Sequence, residues 1–210
     1  MRILKLTFFY LMIMLLAMAL SLAGVRMSVA LGIFAFIVVA VIYRHVHILY
    51  RTNNMQQVDK FVKNQKKQPF FAYVYAIAHS TKAEQLQVLD EVIVKIKQPA
   101  IKNNYLFNKA ILEQDITAAK EAAEKIQKEP LTSYALCYIA ALEGRTTDMR
   151  SEKLTQHWMQ PAIEAVFAHQ MKDETAFDRF TKESIDAARG IQKYSLIHSF
   201  KQMKNEVKKS

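Results

Sequence analysis

Glycine, proline and cysteine are scarce in this 210-residue chain, and each scarcity excludes a class of protein. The four glycines, at positions 24, 32, 144 and 190, lie too far apart to form a phosphate-binding loop, so P-loop and dinucleotide-binding fingerprints are excluded. The single cysteine, Cys137, excludes an intrachain disulfide and is typical of a reducing compartment. Cys137 lies in an apolar helical pattern, so we expect a buried structural thiol.

Residue patterns of catalytic and metal sites are also missing from the sequence. The histidines are scattered, and His45 and His47 are two residues apart, so on a helix they point to different faces and cannot share a metal ion. No G-x-S-x-G or H-E-x-x-H spacing occurs. We therefore expect a protein that is not an enzyme and has no metal or cofactor. An enzymatic alternative would have only the pocket that a groove between helices supplies.

The net charge of +10 is distributed unevenly along the chain. Residues 44–68 carry six basic groups and one acidic group, and residues 189–210 carry the same numbers. Residues 69–188, by contrast, carry 14 basic and 17 acidic groups. A protein that binds nucleic acid needs a basic face on its folded body, so we expect no nucleic-acid partner.

Two long uncharged runs lie near the start of the chain. Residues 6–25 form a run of 20, which as a helix is about 30 Å long and matches a bilayer core. After Arg26, residues 27–43 form a second uncharged run. We predict a transmembrane helical hairpin over residues 1–43, with spans 6–25 and 27–43. The alternative for the first run is a signal peptide cleaved after Ala23.

Basic residues flank these runs on one side of the predicted hairpin. Arg2 and Lys5 precede the first span and six basic residues follow the second, which predicts a plasma (inner) membrane protein with both termini in the cytoplasm. The basic residues after the second span either contact lipid head groups or act as a topology signal alone. The candidate lipid contacts are Arg44, Arg51, Lys60 and Lys63.

Neither uncharged run contains an ionisable residue, which favours an anchor over a transport pathway. Ser28 and Gly32 are four residues apart, and small residues at this spacing allow helices to approach closely. They would pack against the first span or against another membrane protein.

The four prolines share a nearly even spacing. Pro69, Pro99, Pro130 and Pro161 are 30, 31 and 31 residues apart, and proline is favoured in the first turn of a helix. An apolar segment follows each proline, and a more polar amphipathic segment follows that one; after Pro130 this second segment, near 146–160, is a poorer helix. The pattern predicts an α-solenoid of antiparallel helix pairs with a period of about 31 residues over 69–189.

The regions on either side of this array also have helical patterns, so the predicted fold class is all-α. Residues 44–68 form a basic juxtamembrane segment and the first repeat half, with a turn at Asn53-Asn54. Residues 190–210 have an apolar stripe and a basic outer face, which predicts a C-terminal capping helix.

The second helices of two pairs carry small and apolar residues at fixed positions that resemble the tetratricopeptide repeat. In one pair these residues are Asp115, Ile116, Ala119, Ala123, Ile126 and Pro130. In the last pair they are Ala176 and Phe180. The small residue lets the two helices pack closely, and the residue four positions later fills the next groove. The chain resembles a divergent tetratricopeptide-repeat protein over about residues 69–190, which implies a concave groove lined by the first helices.

The first helices supply candidate groove residues. Asn104 and Asn108 are four residues apart, so one helix face presents both amides. The resemblance implies that Asn and Lys there hold a peptide, as in tetratricopeptide domains that bind a C-terminal carboxylate. Tyrosines would line the groove as hot-spot residues, or would be part of the core. The candidate set is Lys102, Asn104, Asn108, Tyr134 and Tyr138.

Together these features predict a membrane-anchored, cytosol-facing adaptor or scaffold that binds a protein or peptide partner at the bilayer. Tethering would raise the local concentration of the partner without new chemistry. The alternative is a structural or assembly subunit that docks onto a membrane complex through its transmembrane hairpin.

Overall fold

The computed structural model describes residues 11–15, 17–18 and 22–207, and the chain divides into two compact units, Met1–His47 and Ile48–Ser210. All regular secondary structure in these ranges is helical, which confirms the all-α class. Nine of the 20 residues of the predicted first span, 6–25, lie outside the described residues, as do the last three residues of the predicted C-terminal helix.

Helix α1, Met27–Tyr50, begins in the first unit and its last three residues belong to the second. Its 24 residues give a length of about 36 Å, and none of its side chains is buried. Within the described ranges it is the one helix long and apolar enough to cross a membrane. It includes the predicted span 27–43 and continues seven residues beyond it.

Nine further α-helices follow in the described part of the second unit. They are α2 (Met55–Gln65), α3 (Pro69–His79), α4 (Lys82–Lys95), α5 (Pro99–Glu113), α6 (Ile116–Glu124), α7 (Leu131–Leu142), α8 (Met159–Gln170), α9 (Glu174–Ala187) and α10 (Gly190–Val207). A short 3₁₀ turn, Thr146–Asp148, lies between α7 and α8.

The prolines mark the starts of four helices. Pro69 and Pro99 are the first residues of α3 and α5. Pro130 immediately precedes α7, and Pro161 is the third residue of α8. All four positions avoid the helix interior, where proline would remove a backbone hydrogen bond and clash with the preceding turn.

Four other helices begin with a polar side chain that accepts a hydrogen bond from a backbone N–H three residues later. Asn54 caps α2 at 3.1 Å, and Asp115 and Asp173 cap α6 and α9 at 2.9 Å. Thr81 caps α4, and the Glu84 carboxylate accepts in return from the Thr81 N–H at 2.7 Å. Side-chain caps satisfy backbone donors that a helix start leaves open, so these residues fix where each helix begins.

The predicted second helix near 146–160 does not form, and this prediction was wrong. Residues 149–158 are irregular after the short 3₁₀ turn, and α8 begins at Met159. Arg145 instead pairs with Glu143 and Asp148 across the turn. Met149 is the one buried apolar side chain between α7 and α8, so the segment lacks the apolar stripe that would hold a helix against the domain.

Each helix from α2 to α10 packs against the next one in the chain. Small residues allow close packing in the middle of the series, where Ala119 and Ala123 of α6 are fully buried against Phe107 and Ile139. These are the alanines that carry the repeat resemblance, and their burial agrees with close packing of a helix pair.

Helix α10 also packs against α2 and α3, at the start of the series. Ile191 and Tyr194 lie in a buried cluster with Val58, Val62 and Val74. Further along α10, Leu196 and Phe200 are buried against α8 and α9. The sequence predicts a cap at one end of an open stack, whereas α10 contacts both ends and closes the series.

The start of α10 is fixed by a glycine. Gly190 has a φ of 55°, and its N–H donates to the Thr52 carbonyl at 2.8 Å. A Cβ at this position would overlap the backbone carbonyl group of Leu49. Only glycine therefore allows the two backbones to approach this closely.

Candidate binding site

Closure of the helix series leaves a cavity of about 410 Å³ inside the second unit. Its wall combines apolar residues with polar groups from α4, α5, α8 and α10, and it includes no acidic residue. The main polar groups are Lys82, Gln85, Asn108, His169 and Gln202. A mostly preformed concave site with a few converging polar groups is the usual form of a ligand-binding pocket.

Three amide side chains in the wall are held by backbone carbonyls. The side-chain nitrogens of Gln85, Asn108 and Gln202 donate to carbonyl oxygens at 3.1, 2.7 and 2.7 Å. Because a backbone carbonyl only accepts hydrogen bonds, the orientation of each amide is fixed. Each side-chain amide still has its oxygen and a second N–H available to a ligand. This acceptor and donor can pair with the N–H and C=O of a peptide bond.

The predicted groove residues divide between this cavity and other places. Asn108 and Tyr138 lie in the cavity wall. Asn104 is half-buried one turn earlier in α5, and its carbonyl is the acceptor for Asn108. Lys102 is exposed away from the wall, and Tyr134 packs edge-on against Trp158 with ring centroids 5.3 Å apart.

The tyrosines near the cavity are packing residues with neutral phenols. Burial raises the pKa of Tyr73, Tyr134 and Tyr105, in the last case to about 12. Tyr73 and Tyr105 pack edge-to-face with ring centroids 5.8 Å apart. Of these three, Tyr73 reaches the wall, so it offers a ligand an aromatic surface rather than a charge.

A polar cluster joins α10 to α2 and α3. The Tyr194 hydroxyl donates to Asp59 Oδ1 at 2.6 Å, and His79 Nε2 lies 2.7 Å from the same oxygen. The hydrogen bond from Tyr194 lowers the pKa of Asp59, while burial and this carboxylate raise the pKa of Tyr194. We name Asp59, His79 and Tyr194 the closure cluster, because they join residues from both ends of the helix series.

Other histidines serve as packing or tethering groups. His169 Nε2 lies 3.0 Å from the Met203 carbonyl and links α8 to α10. The rings of His79 and His198 are 6.3 Å apart. Across the described ranges, no group of three or more His, Cys, Asp or Glu residues is placed to hold a metal ion. Cys137 is buried, and burial raises the pKa of its thiol.

Sequence reasoning missed Lys82, Gln85 and Gln202 as cavity residues. Gln85 lies in an amphipathic helix that also contains the exposed Gln87, and nothing in the spacing of the two glutamines indicates that Gln85 is only 2 % exposed. Gln202 faces the cavity because α10 returns to the start of the series. The one local signal for that return is Gly190, whose role depends on the distant backbone of Leu49 and Thr52.

The candidate lipid contacts are all exposed. Arg51, Lys60 and Lys63 lie on the second unit, and Arg44 lies on the part of α1 that belongs to the first unit. They are therefore accessible to a charged partner.

Comparison with protein-family models, curated proteins and solved structures finds no significant match. The tetratricopeptide resemblance therefore stays a prediction.

Proposed function

We propose that this protein is a membrane-anchored, cytosol-facing adaptor that binds a protein or peptide partner at the plasma membrane. In this proposal residues 6–25 and 27–43 form a two-span hairpin, and both termini are cytoplasmic. The second unit is a divergent tetratricopeptide-like solenoid of helix pairs, and it has no catalytic activity. The observation that carries the proposal is α1, a long apolar helix joined directly to a folded helical unit.

The exposure of α1 supports the membrane anchor. Large apolar side chains such as Phe36, Val39 and Ile42 are more than half exposed, at 73, 63 and 57 %. A helix apolar on all sides is stable in a bilayer, where its backbone groups are satisfied internally. The basic residues that follow it favour a cytoplasmic location for the second unit.

The cavity supports the binding role. Its amides at Gln85, Asn108 and Gln202 each present a donor and an acceptor, and Tyr73 and Tyr138 provide aromatic surface. An extended peptide matches this combination, since its backbone pairs with amides and its side chains contact the apolar wall. No catalytic arrangement of nucleophile, base and acid accompanies these groups among the described residues.

Photo-crosslinking in intact cells tests the adaptor. A photoreactive residue at Lys82, in the cavity wall, is expected to capture a partner, whereas one at exposed Lys120 on α6 is the matched control. The substitution Asn108→Ala should reduce capture at position 82 with little change in thermal stability. Equal capture at both positions, or capture that Asn108→Ala does not change, would contradict a binding role for the cavity.

The alternative, an assembly subunit that docks through the hairpin, is favoured by one observation. Apart from its chain neighbours and the backbone of its own helix turns, no described atom lies within 4 Å of the position that a Cβ on Gly32 would take. The small-residue face of Ser28 and Gly32 is therefore open to another helix. A photoreactive residue at neighbouring Leu31 tests this alternative. Capture of a membrane protein there, with none at Lys82, would favour the assembly role.

The proposed topology has its own test. Cytoplasm-dependent fluorescent reporters fused to either end of the chain should both be fluorescent. A fluorescent signal from only one end would contradict the two-span arrangement, because a single span places the two ends on opposite sides.

A further inference from the structure

The two basic segments recognised in the sequence meet in the folded second unit. The backbone N–H of Gly190 donates to the carbonyl of Thr52, and Lys193 Nζ lies 3.4 Å from Asn53 Oδ1. The start of α10 therefore lies beside the start of α2. Charges that are separated by more than 120 residues in the chain form one surface.

Helix α2 and the turn after it supply three of these charges. Lys60 and Lys63 are three residues apart on α2, so they lie on one face, and Lys67 lies in the turn that follows α2; all three are exposed. Within the described part of the chain, no carboxylate lies within salt-bridge distance of any of them. The one acid on α2, Asp59, is engaged by the Tyr194 hydroxyl and His79.

We infer that this basic surface, formed by Arg51, Lys60, Lys63, Lys67 and Lys193, docks onto anionic phospholipid head groups. The inference rests on the proposed membrane anchor and deepens it, because it adds a lipid class and a contribution from α10. Each Lys or Arg near an anionic membrane surface contributes about 1 kcal/mol, which corresponds to a factor of about five in the docked population.

Two features favour a lipid surface over an acidic protein. Arg51 directly follows Tyr50, the last residue of the apolar helix α1, so the basic surface is covalently held close to any bilayer that α1 enters. Exposed aromatic side chains also flank it, with Tyr50 67 % and Phe70 48 % exposed. Aromatic and basic residues together are typical of the membrane–water interface.

The test uses the full chain in lipid nanodiscs. Gln56→Cys places a fluorophore on the exposed face of α2, while the buried Cys137 is protected from labelling in the folded protein. Spin-labelled head groups quench the fluorophore when the surface docks. Quenching is expected to be stronger with phosphatidylglycerol than with phosphatidylcholine alone, and to be lost at about 1 M salt, where the Debye length is about 3 Å.

Charge-removing variants locate the contact. Replacing Lys60, Lys63 and Lys67 together with glutamine should abolish the extra quenching in anionic discs. Lys193→Gln should reduce the docked-to-free ratio about fivefold, which isolates the contribution of α10. If Lys193→Gln has no effect, the inference that α10 shares the surface is overturned.

A control with the same change in net charge separates local contact from general attraction. In this control variant, glutamine replaces three exposed lysines that lie outside the basic surface, Lys97, Lys120 and Lys128. None of the three has a salt-bridge partner among the described residues. An equal loss of quenching in this control, or equal quenching in neutral and anionic discs, would overturn the lipid assignment.

The membrane anchor is scored separately in the same samples. Co-elution of the chain with discs of both lipid compositions is expected if α1 inserts. Failure to co-elute with neutral discs would overturn the proposed anchor, whereas co-elution with no dependence of quenching on lipid charge overturns only the docking surface.

Discussion

Replacing Gly190 with alanine should lower the thermal stability of the second unit more than the same change at Gly144, a glycine of similar backbone conformation. Gly190 has a φ of 55°, and a Cβ there would overlap the backbone carbonyl of Leu49. Gly144 has a φ of 72°, but a Cβ there would meet nothing within 4 Å. Both substitutions force alanine into the left-handed region, so the difference between them isolates the steric overlap.

The expected loss of stability has two parts, the left-handed backbone conformation and the steric overlap. Placing a Cβ-bearing residue in the left-handed region costs about 1–2 kcal/mol, which applies to both variants. Overlap with backbone adds the cost of overpacking, about 1–3 kcal/mol, to Gly190→Ala alone. For a unit of this size each kcal/mol lowers the melting temperature by about 2–4 °C, so Gly190→Ala should melt about 2–12 °C below Gly144→Ala.

Thermal unfolding of the detergent-solubilised full chain, followed by circular dichroism, measures this difference. Hydrogen exchange should show lost protection in α10, and also in α2 and α3, because Gly190 places α10 against both. Equal melting temperatures for the two variants would refute the reasoning. A loss of protection confined to the region around Gly190 would show that α10 does not hold the two ends together.

Further substitutions test the closure cluster, the neighbouring His198 and the start of α6. Tyr194→Phe removes the hydroxyl that donates to Asp59 and should lower the free energy of unfolding by about 1–2 kcal/mol, measured by urea denaturation. Burial and the nearby His79 lower the pKa of His198, so stability should fall as the pH drops through its ordinary value of 6.5; in a pH series of melting temperatures His198→Gln should remove this step. The pKa of Asp59 is also lowered, so a second fall is expected below 3.8 in both proteins. Asp115→Ala should cost about 0.5–2 kcal/mol in the same denaturation assay, and Asp115→Ser should restore most of the loss.

Local chemistry made the helix starts predictable. Proline at a helix start acts within one turn, so Pro69 and Pro99 could be interpreted without tertiary information. The caps at Asp115 and Asp173 are equally local, but they were not predicted from the sequence. The segment after Gly144 was misread because a few apolar residues at helical spacing do not make a helix without a surface to pack on. There the ion pairs of Arg145 with Glu143 and Asp148 hold a turn instead.

The candidate site was only partly predictable, because it depends on where α10 lies. Spacing placed Asn104 and Asn108 on one helix face, but the cavity includes only the C-terminal half of α5 and so includes Asn108 alone. Tyr138 lies in the wall and Tyr134 does not, because Trp158, at the start of α8, packs against Tyr134. Gln202 enters the wall through a contact with Ile77, 125 residues away in sequence, which no local pattern encodes.

The return of α10 to α2 has a consequence for the newly made protein. Asp59 and Tyr194, which join these helices, are 135 residues apart. At a synthesis rate of about 5–20 residues per second, about 7–27 s separate the emergence of the two from the ribosome. During that interval Val58, Val62 and Val74 lack the cover that Ile191 provides in the finished fold. Until α10 is synthesised, the nascent chain therefore leaves these apolar side chains exposed, and this is the stage at which a chaperone would bind.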